Sequence, residues 1–153
     1  MAEFDSNLVT TSEARLVSAG LRDGDDANGK LTVATAKVTL TGSTAANDIL
    51  NIIPTKYLPV DACVVPQLCS VTSSDPGTTL TLDIGHTGNV DAYADGITLS
   101  SGGIIGFCSG TKPSTVETPV RTDDTGAIFA TVMSADTITN GTVLTFLIAY
   151  RSK

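Results

Sequence analysis

Few residues in this chain have types and spacing suited to chemistry, and the histidine is the first of them. His86 is the only histidine in the sequence, and it continues the alternation of Leu80, Leu82 and Ile84 at the rim of a predicted strand. A general base needs a nucleophile within hydrogen-bond reach and a group that orients it. The residues around His86 indicate neither, so we predict a structural role for this side chain and no catalytic residue.

A second candidate is the segment Gly106-Phe-Cys-Ser-Gly110, which has a superficial likeness to a nucleophile elbow. In that motif a serine stands midway between two glycines, on a sharp turn that joins a strand to a helix. Here Ser109 is one place out of phase, and no helical pattern follows it. The sequence therefore predicts no enzyme at this point.

Acidic residues cluster in the run from Asp23 to Gly29, in the manner of a calcium loop. An EF-hand requires an oxygen ligand, a glycine and a closing glutamate where Ala27, Asn28 and Ala34 stand. All three requirements fail, so we predict a solvated acidic loop and no cofactor or metal. The alternative is an irregular Ca²⁺ site on the aspartates of the run, Asp23, Asp25 and Asp26.

The three cysteines, Cys63, Cys69 and Cys108, show no C-x-x-C spacing. Cys63 and Cys69 fall on a segment predicted to be extended, about 20 Å apart at roughly 3.3 Å per residue, so they cannot bridge each other without a sharp bend. We expect small buried side chains in a reducing cytoplasm. The alternative is a bridge from Cys108 to either of the others.

The charge of the chain argues against two classes of partner. The net charge is −7, and the nine basic residues are scattered from Arg15 to Lys153, whereas backbone phosphates are bound by clustered Lys and Arg. The acidic balance also disfavours an anionic membrane surface, and no stretch approaches the roughly 20 apolar residues of a membrane span. The first ten residues lack the features of a secretion signal. We therefore expect no nucleic-acid partner, no membrane partner, and synthesis in a cytoplasm.

The composition favours strands. Thr, Val, Ile and Leu dominate, only 5% of residues are aromatic, and Trp is absent. Side chains branched at Cβ are stiff at χ1 and suit a pleated surface. A chain of 153 residues fits one domain, which buries roughly two-thirds of its unfolded surface without needing disulfides or a metal.

The chain divides into two parts. Residues 1–30 are predicted to form an N-terminal arm and loop, with a weakly helical patch at Ser12–Ala19, and residues 31–153 to form a β-sandwich domain. Arms of this kind are ordered only where they dock. The apolar side chains of the arm need cover, either on a neighbouring subunit or on their own domain; they are Phe4, Leu8, Val9, Leu16 and Val17.

Short strands are predicted from Leu31 onward, at 34–40, 49–53, 60–71, 78–86, 97–99, 104–108, 116–121, 127–133 and 142–150. Pro66 inside the third implies a bulge or an edge position, and residues 89–95 are predicted to form one helical turn capped by Asn89. Eight or nine strands at intervals of roughly 8–12 residues, without a long helix, indicate a sandwich or barrel. We predict an all-β, jelly-roll-like β-sandwich with an extended N-terminal arm.

Two turn signals stand between the later strands, Thr122–Gly126 and Thr139-Asn-Gly141. Asn-Gly is the strongest short hairpin signal, so the second predicts a hairpin, and the pair Asp123–Asp124 is interpreted as turn chemistry. The last strand, Val143–Tyr150, is apolar on nearly both faces. It is predicted to be central, covered on one side by the opposite sheet and on the other by something else, with a subunit contact as one candidate.

Residues 78–107 carry the pattern T-x-x-L-D-I-G and then D-A-Y-A-D-G-I-x-L, which resembles small structural proteins of tailed-bacteriophage heads. The upstream residues 58–62 and 64–65 also fit, so the resemblance covers roughly residues 32–110. Its motifs are fold-like, and no functional site is carried over. The matching residues are Thr79, Leu82, Asp83, Ile84, Gly85, Asp91, Tyr93, Asp95, Gly96, Ile97 and Leu99.

The resemblance implies a capsid decoration (cement) protein, a homotrimer that binds the major capsid protein on the outer surface of the virion head and stabilises it. The apolar arm residues would then contact the capsid or a subunit. The alternative function is a receptor- or carbohydrate-binding jelly-roll module of a phage fibre or spike, but such a module usually belongs to a longer chain with a shaft. A cupin-type enzyme is disfavoured because it needs a histidine-rich metal site.

Overall fold

The computed structural model of this protein describes residues 3–5, 31–59, 62–110, 120–121 and 127–151, the first and fourth stretches by their backbone alone. Strands dominate these residues, and the helical pieces among them are two single 3-10 turns at Pro66–Leu68 and Phe107–Ser109. The strands are β1 (Glu3–Asp5), β2 (Leu31–Thr39), β3 (Ile49–Ile53), β4 (Cys63–Val64), β5 (Ser70–Ser73), β6 (Leu80–His86), β7 (Asn89–Leu99), β8 (Gly103–Gly106), β9 (Val120–Arg121), β10 (Ile128–Ala135) and β11 (Val143–Arg151).

The described strands form two sheets. Sheet 1 has the order β1-β3-β10-β6-β7, and its pairs are antiparallel except that β1 runs parallel to β3. Sheet 2 has the order β8-β5-β11-β4-β9, with β2 also on β11. Because β2 pairs with the whole of β11, from Leu31 opposite Arg151 to Thr39 opposite Val143, β5 and β4 share the other edge of β11 one after the other.

The core lies between the two sheets and follows from side-chain alternation. In β2 the buried residues are Ala34, Ala36 and Val38, and the residues between them are exposed or half-buried. In β11 Leu144, Phe146 and other residues of the same phase are buried. They join one continuous apolar cluster with buried residues of sheet 1. Each fully buried Val, Leu, Ile or Phe side chain contributes about 1.5–3 kcal/mol, so packing between the sheets stabilises the fold and the outer faces remain for contacts.

The predicted fold class is confirmed at the level of an all-β sandwich of two mainly antiparallel sheets. The central position of the last strand is also confirmed, since β11 has partners on both edges. The division into residues 1–30 and 31–153 stays a prediction, although β1, inside the predicted arm, pairs with β3.

None of the described residues forms a helix long and apolar enough to cross a membrane.

The helical turn predicted at residues 89–95 is wrong. Thr87 and Gly88 make a tight turn, with Gly88 at a φ of +92°, and His86 pairs with Asn89 across it. β7 then continues along β6 as far as Leu99. The capping preference of Asn89 is a local signal, and the ladder with β6 satisfies many more backbone groups than one helical turn does.

The long third strand predicted at 60–71 is also wrong. β4 is followed by the 3-10 turn Pro66–Leu68, and only then does β5 begin at Ser70. Pro66 stands in the first turn of this helix, where its missing N–H has no intrahelical partner to lose. The proline therefore separates two strands instead of marking a bulge or edge within one.

The turn predicted at Thr139-Asn-Gly141 forms, but it does not make a hairpin. The Thr142 N–H donates to the Thr139 carbonyl at 3.1 Å, and Gly141 has a φ of +87°. However, β10 belongs to sheet 1 and β11 to sheet 2, so this turn carries the chain from one sheet to the other. The other predicted turn, with Asp123 and Asp124, lies outside the described residues.

Candidate interaction surfaces

His86 is half-buried at the end of β6, where the backbone and an aromatic ring fix its position. Its Nδ1 lies 2.8 Å from the carbonyl oxygen of Thr87, and because a carbonyl can only accept, Nδ1 is the donor. The ring centroid lies 5.7 Å from that of Tyr93, with the planes inclined at 45°. Tilted aromatic pairs at this separation are packing contacts. These contacts hold the ring in place, and the structural role of His86 stays a prediction.

The segment predicted not to be a nucleophile elbow is a strand followed by a single 3-10 turn. Gly106 ends β8, Phe107 is buried, and Ser109 is exposed at the end of the turn. The nucleophile elbow presents its serine between a strand and a full helix, and that arrangement is not formed between Gly103 and Gly110.

The three thiols are free, so the Cys108 bridge is not present. Cys69 is buried, Cys63 is half-buried and Cys108 is exposed, which corrects the expectation that all three are buried. Burial raises the pKa of the Cys69 thiol to about 12, and partial desolvation also raises the pKa of Cys108. A raised thiol pKa lowers the thiolate population, so these two cysteines lack the signature of a catalytic nucleophile.

Metal ligands were predicted only in the acidic run Asp23–Gly29, as the alternative to a solvated loop. That run lies outside the described residues, and so both interpretations stay predictions. Within the stretches that the structure does describe, no group of three or more His, Cys, Asp or Glu is placed to hold a metal ion.

The residues that carry the resemblance to phage head proteins shape the β6–β7 hairpin. Asp83 is buried, and its Oδ1 accepts a hydrogen bond from the N–H of Gly96 at 2.8 Å. The register between β6 and β7 shifts beside this contact, and Gly96 has a φ of +70°. Gly85 lies so close to the carbonyl oxygen of Asn89 that a Cβ would collide with it. These motif residues therefore have structural reasons for their identities.

The arm residues predicted to contact the capsid or a subunit are only partly described. Phe4 lies in β1, and its backbone pairs with Leu50. Its side chain, like the whole of Leu8, Val9, Leu16 and Val17, lies outside what the structure describes. The contact role of these five residues stays a prediction.

A candidate surface that the sequence analysis anticipated only at the last strand, as one candidate for a subunit contact, is the outer face of sheet 2. Val33 is 50% exposed on β2, and Ile104 is 73% exposed on β8. Between them on the same face lie Leu147 of β11 and Thr72 of β5, both half-buried. The sequence of β2 indicates an apolar outer face, because small alanines occupy two of its inward positions while the larger Leu31 and Val33 point outward.

Charge is segregated between the sheets among the described strands. Those of sheet 2 contain no Asp or Glu, and those of sheet 1 contain no Lys or Arg. The charged residues of sheet 2 are Lys37, Arg121 and Arg151, and those of sheet 1 are Glu3, Asp5, Asp83, Asp91 and Asp95. In a chain of net charge −7, the outer face of sheet 2 is thus a mainly apolar and Thr-rich surface with a slight basic bias.

Two solved structures contain chains with the same fold. A chain of the capsid asymmetric unit of cyanophage Pam1 superimposes with a TM-score of 0.58 at 21% identity, covering 82% of this protein and 86% of that chain. A chain of the capsid of Ralstonia phage GP4 superimposes with a TM-score of 0.57 at 20% identity, covering 84% of this protein and 88% of that chain. At this identity the likeness is one of fold. No protein-family model and no curated protein sequence matches the chain.

Proposed function

We propose that this chain is a bacteriophage virion structural protein, a capsid decoration (cement) protein that binds the outer surface of the head and stabilises it. The observation that carries the proposal is the fold shared with chains of two phage capsids over more than four-fifths of both partners. Because the superposition covers similar, large fractions of this chain and of the matched chains, the matched chains are nearly as long as this one. The proposal is thus of a small capsid component that is a single β-sandwich.

The proposed mechanism is adhesion, with no catalytic step. A homotrimer at a symmetry axis of the head would make the same contacts three times over with neighbouring copies of the major capsid protein. Linked contacts strengthen each other, because once one has formed the next is effectively intramolecular. Many weak contacts then hold adjacent capsid subunits together against pressure from inside the head.

The purified protein and heads that lack it provide the test. Added protein should cosediment with expanded heads and saturate at a fixed number of copies, while compact precursor shells should bind much less. Heads without the protein should release DNA at a lower temperature than heads to which it has been restored. Failure to bind expanded heads, or binding to host cells or glycans by the isolated protein instead, would overturn the proposal in favour of a receptor-binding module.

The arm residues supply a second test, because we propose that they contact the capsid or a subunit. The full chain carrying Leu8→Ser, Val9→Ser, Leu16→Ser and Val17→Ser should bind heads about tenfold or more weakly, since apolar contacts are lost without a change of charge. A matched control is Thr10→Ser with Thr11→Ser, which changes the same arm but keeps the hydroxyls. If the wild type, the four-serine variant and the control all bind heads equally well, these arm residues do not contact the capsid.

A further inference from the structure

We infer that the outer face of sheet 2 is the surface through which copies of this chain associate with one another. This inference deepens the self-association in the proposed function, and it concerns the isolated protein without capsid. The face consists of the accessible outward residues of four strands: Leu31, Val33, Thr35, Lys37 and Thr39 on β2; Val143, Thr145, Leu147 and Arg151 on β11; Ser70 and Thr72 on β5; Ile104 and Gly106 on β8.

The register places these side chains in rows across the sheet. One row runs Lys37, Thr145, Thr72, Ile104, and the next runs Thr35, Leu147, Ser70, Gly106. In a third row Val33 is paired with Ala149, which is buried and adds no accessible area to the face. The middle of the face is therefore apolar or carries hydroxyl groups, which is the composition of an interface core, where charged residues are depleted.

The two cations of the face stand at its margin. Lys37 lies on β2, an edge strand that pairs with β11 and with none of the other described strands. Arg151 is the last residue of β11 and lies in the same row as Leu31. Long basic side chains at such positions can cover apolar area with their stems while the charged ends stay in water. They therefore fit the polar rim of an interface better than its core.

If two copies of this chain associate, as the proposed function requires, charge favours contact through this face. Two chains of net charge −7 repel each other, and the repulsion is weakest where carboxylates are absent from the approaching surfaces. Six described strands belong to sheet 2, and none of them contains Asp or Glu. Two copies can thus approach through this face at lower electrostatic cost than through the acidic strands of sheet 1.

The face is large enough to form the central part of an interface. With strands about 4.8 Å apart and about 3.3 Å per residue, the two nine-residue strands and the two four-residue strands cover roughly 400 Å² in projection. The accessible area of a surface formed by side chains is larger than its projection, and a standard interface buries about 800 Å² per partner. The face can therefore provide the centre of such an interface, with the surrounding loops as its rim.

The test compares two double variants that add the same charge on opposite sides of the sandwich. Val33→Glu with Ile104→Glu puts two carboxylates on the outer face of sheet 2. Val90→Glu with Met133→Glu puts two on sheet 1, at side chains that are 47% and 49% exposed. The mass of each protein in solution is measured by light scattering and sedimentation without capsid, with circular dichroism and melting temperature as checks of folding.

The wild-type protein should have a multiple of the 15.7 kDa chain mass, V33E/I104E should be a folded monomer or dissociate at least about tenfold more readily, and V90E/M133E should behave as wild type. A monomeric wild type, a V33E/I104E protein that stays associated, or equal dissociation of both variants would overturn the inference. If V33E/I104E does not fold, T35E/T39E decides in the same way, because both threonines are exposed on this face.

The outcome separates this inference from the proposed function. An oligomer that V33E/I104E dissociates but that ignores phage heads would support the face and overturn the decoration role. A monomer that binds heads would support decoration and overturn the face as a contact between copies.

Discussion

The N–H of Ala149 donates a hydrogen bond to Sγ of Cys69 at 3.2 Å, at the point where β11 passes from its pairing with β5 to its pairing with β4. The Ala149 carbonyl accepts from the Val65 N–H at 2.9 Å, and the Cys69 thiol donates to the Val65 carbonyl at 3.3 Å. A side chain thus takes the place of a backbone carbonyl where the 3-10 turn interrupts the sheet, and the buried N–H keeps a partner.

This arrangement predicts how stability changes in alkali. Burial raises the pKa of Cys69 from 9.0 to about 12, so the folded chain keeps a proton that the unfolded chain loses above pH 9. The stabilisation is complete below about pH 9 and is lost as the pH rises towards 12, at about 1.4 kcal/mol per pH unit for one proton. Cys69→Ser keeps an acceptor for Ala149 and removes the titration, so its free energy of unfolding should fall less steeply between pH 9 and 11.

Urea unfolding at stepped pH measures the two slopes. Tyr150 also has a pKa raised to about 12, by burial and then by Tyr57, and so it lowers the stability of both proteins alike over the same range. The comparison therefore isolates the thiol. Identical slopes for wild type and Cys69→Ser would show that Cys69 is not held protonated by the fold.

The cysteines should also differ in their rates of alkylation. Cys108 is exposed and Cys69 is buried, so a thiol reagent reaches Cys108 directly but reaches Cys69 only when the chain opens. At neutral pH, labelling of Cys69 should be at least about a thousandfold slower, given an opening free energy of about 5 kcal/mol or more. Peptide mass spectrometry over a time course measures both sites, and Cys108→Ser identifies the fast one. Comparable rates would mean that β11 separates readily from the turn beside it.

The contact between Asp83 and Gly96 predicts a graded loss of stability. Asp83→Ala removes a buried acceptor 2.8 Å from the Gly96 N–H, so it should cost about 1–3 kcal/mol in the free energy of unfolding. Asp83→Asn retains an acceptor oxygen and should cost less. Asp136→Ala removes a carboxylate from an exposed position and should change stability by less than about 0.5 kcal/mol. Denaturant titration ranks the three, and equal losses for Ala and Asn would argue against the hydrogen bond.

Alternation along single strands could be predicted from the sequence, but the choice of partners could not. The two-residue period of β2 and β6 gave the correct inward residues, such as Val38 and Leu82. The turn at Gly141 was also recognisable, yet the same local angles serve a hairpin or a crossing between sheets. The crossing is held by contacts with distant parts of the chain, among them the Leu40 carbonyl, which accepts the Gly141 N–H at 3.0 Å from about a hundred residues earlier.

The full extent of the outer face of sheet 2 could not be predicted from the sequence for a related reason. Periodicity separates two faces of β2 but does not say what lies beside them. The side of β2 that carries Val33 is part of a wide surface only because β11, β5 and β8 extend the same face across the sheet. The apolar character of β11 on both faces was visible in the sequence, and the subunit contact that it suggested for the outer side of this strand stays a prediction.

Gly85 provides the last prediction, because its identity follows from space and not from an unusual backbone angle. An added Cβ would meet the carbonyl oxygen of Asn89 and the backbone of Val90, and Gly85 itself is buried. Gly85→Ala should therefore force the β6–β7 hairpin apart and lower the free energy of unfolding by about 2 kcal/mol or more. Gly102→Ala is the matched control, since its nearest neighbour would be the Ser73 carbonyl oxygen at an ordinary 3.6 Å. That variant should lie within about 0.5 kcal/mol of wild type or be slightly more stable, because alanine restricts the unfolded chain. If the two variants unfold at the same urea concentration, the close approach in the hairpin does not determine the residue at position 85.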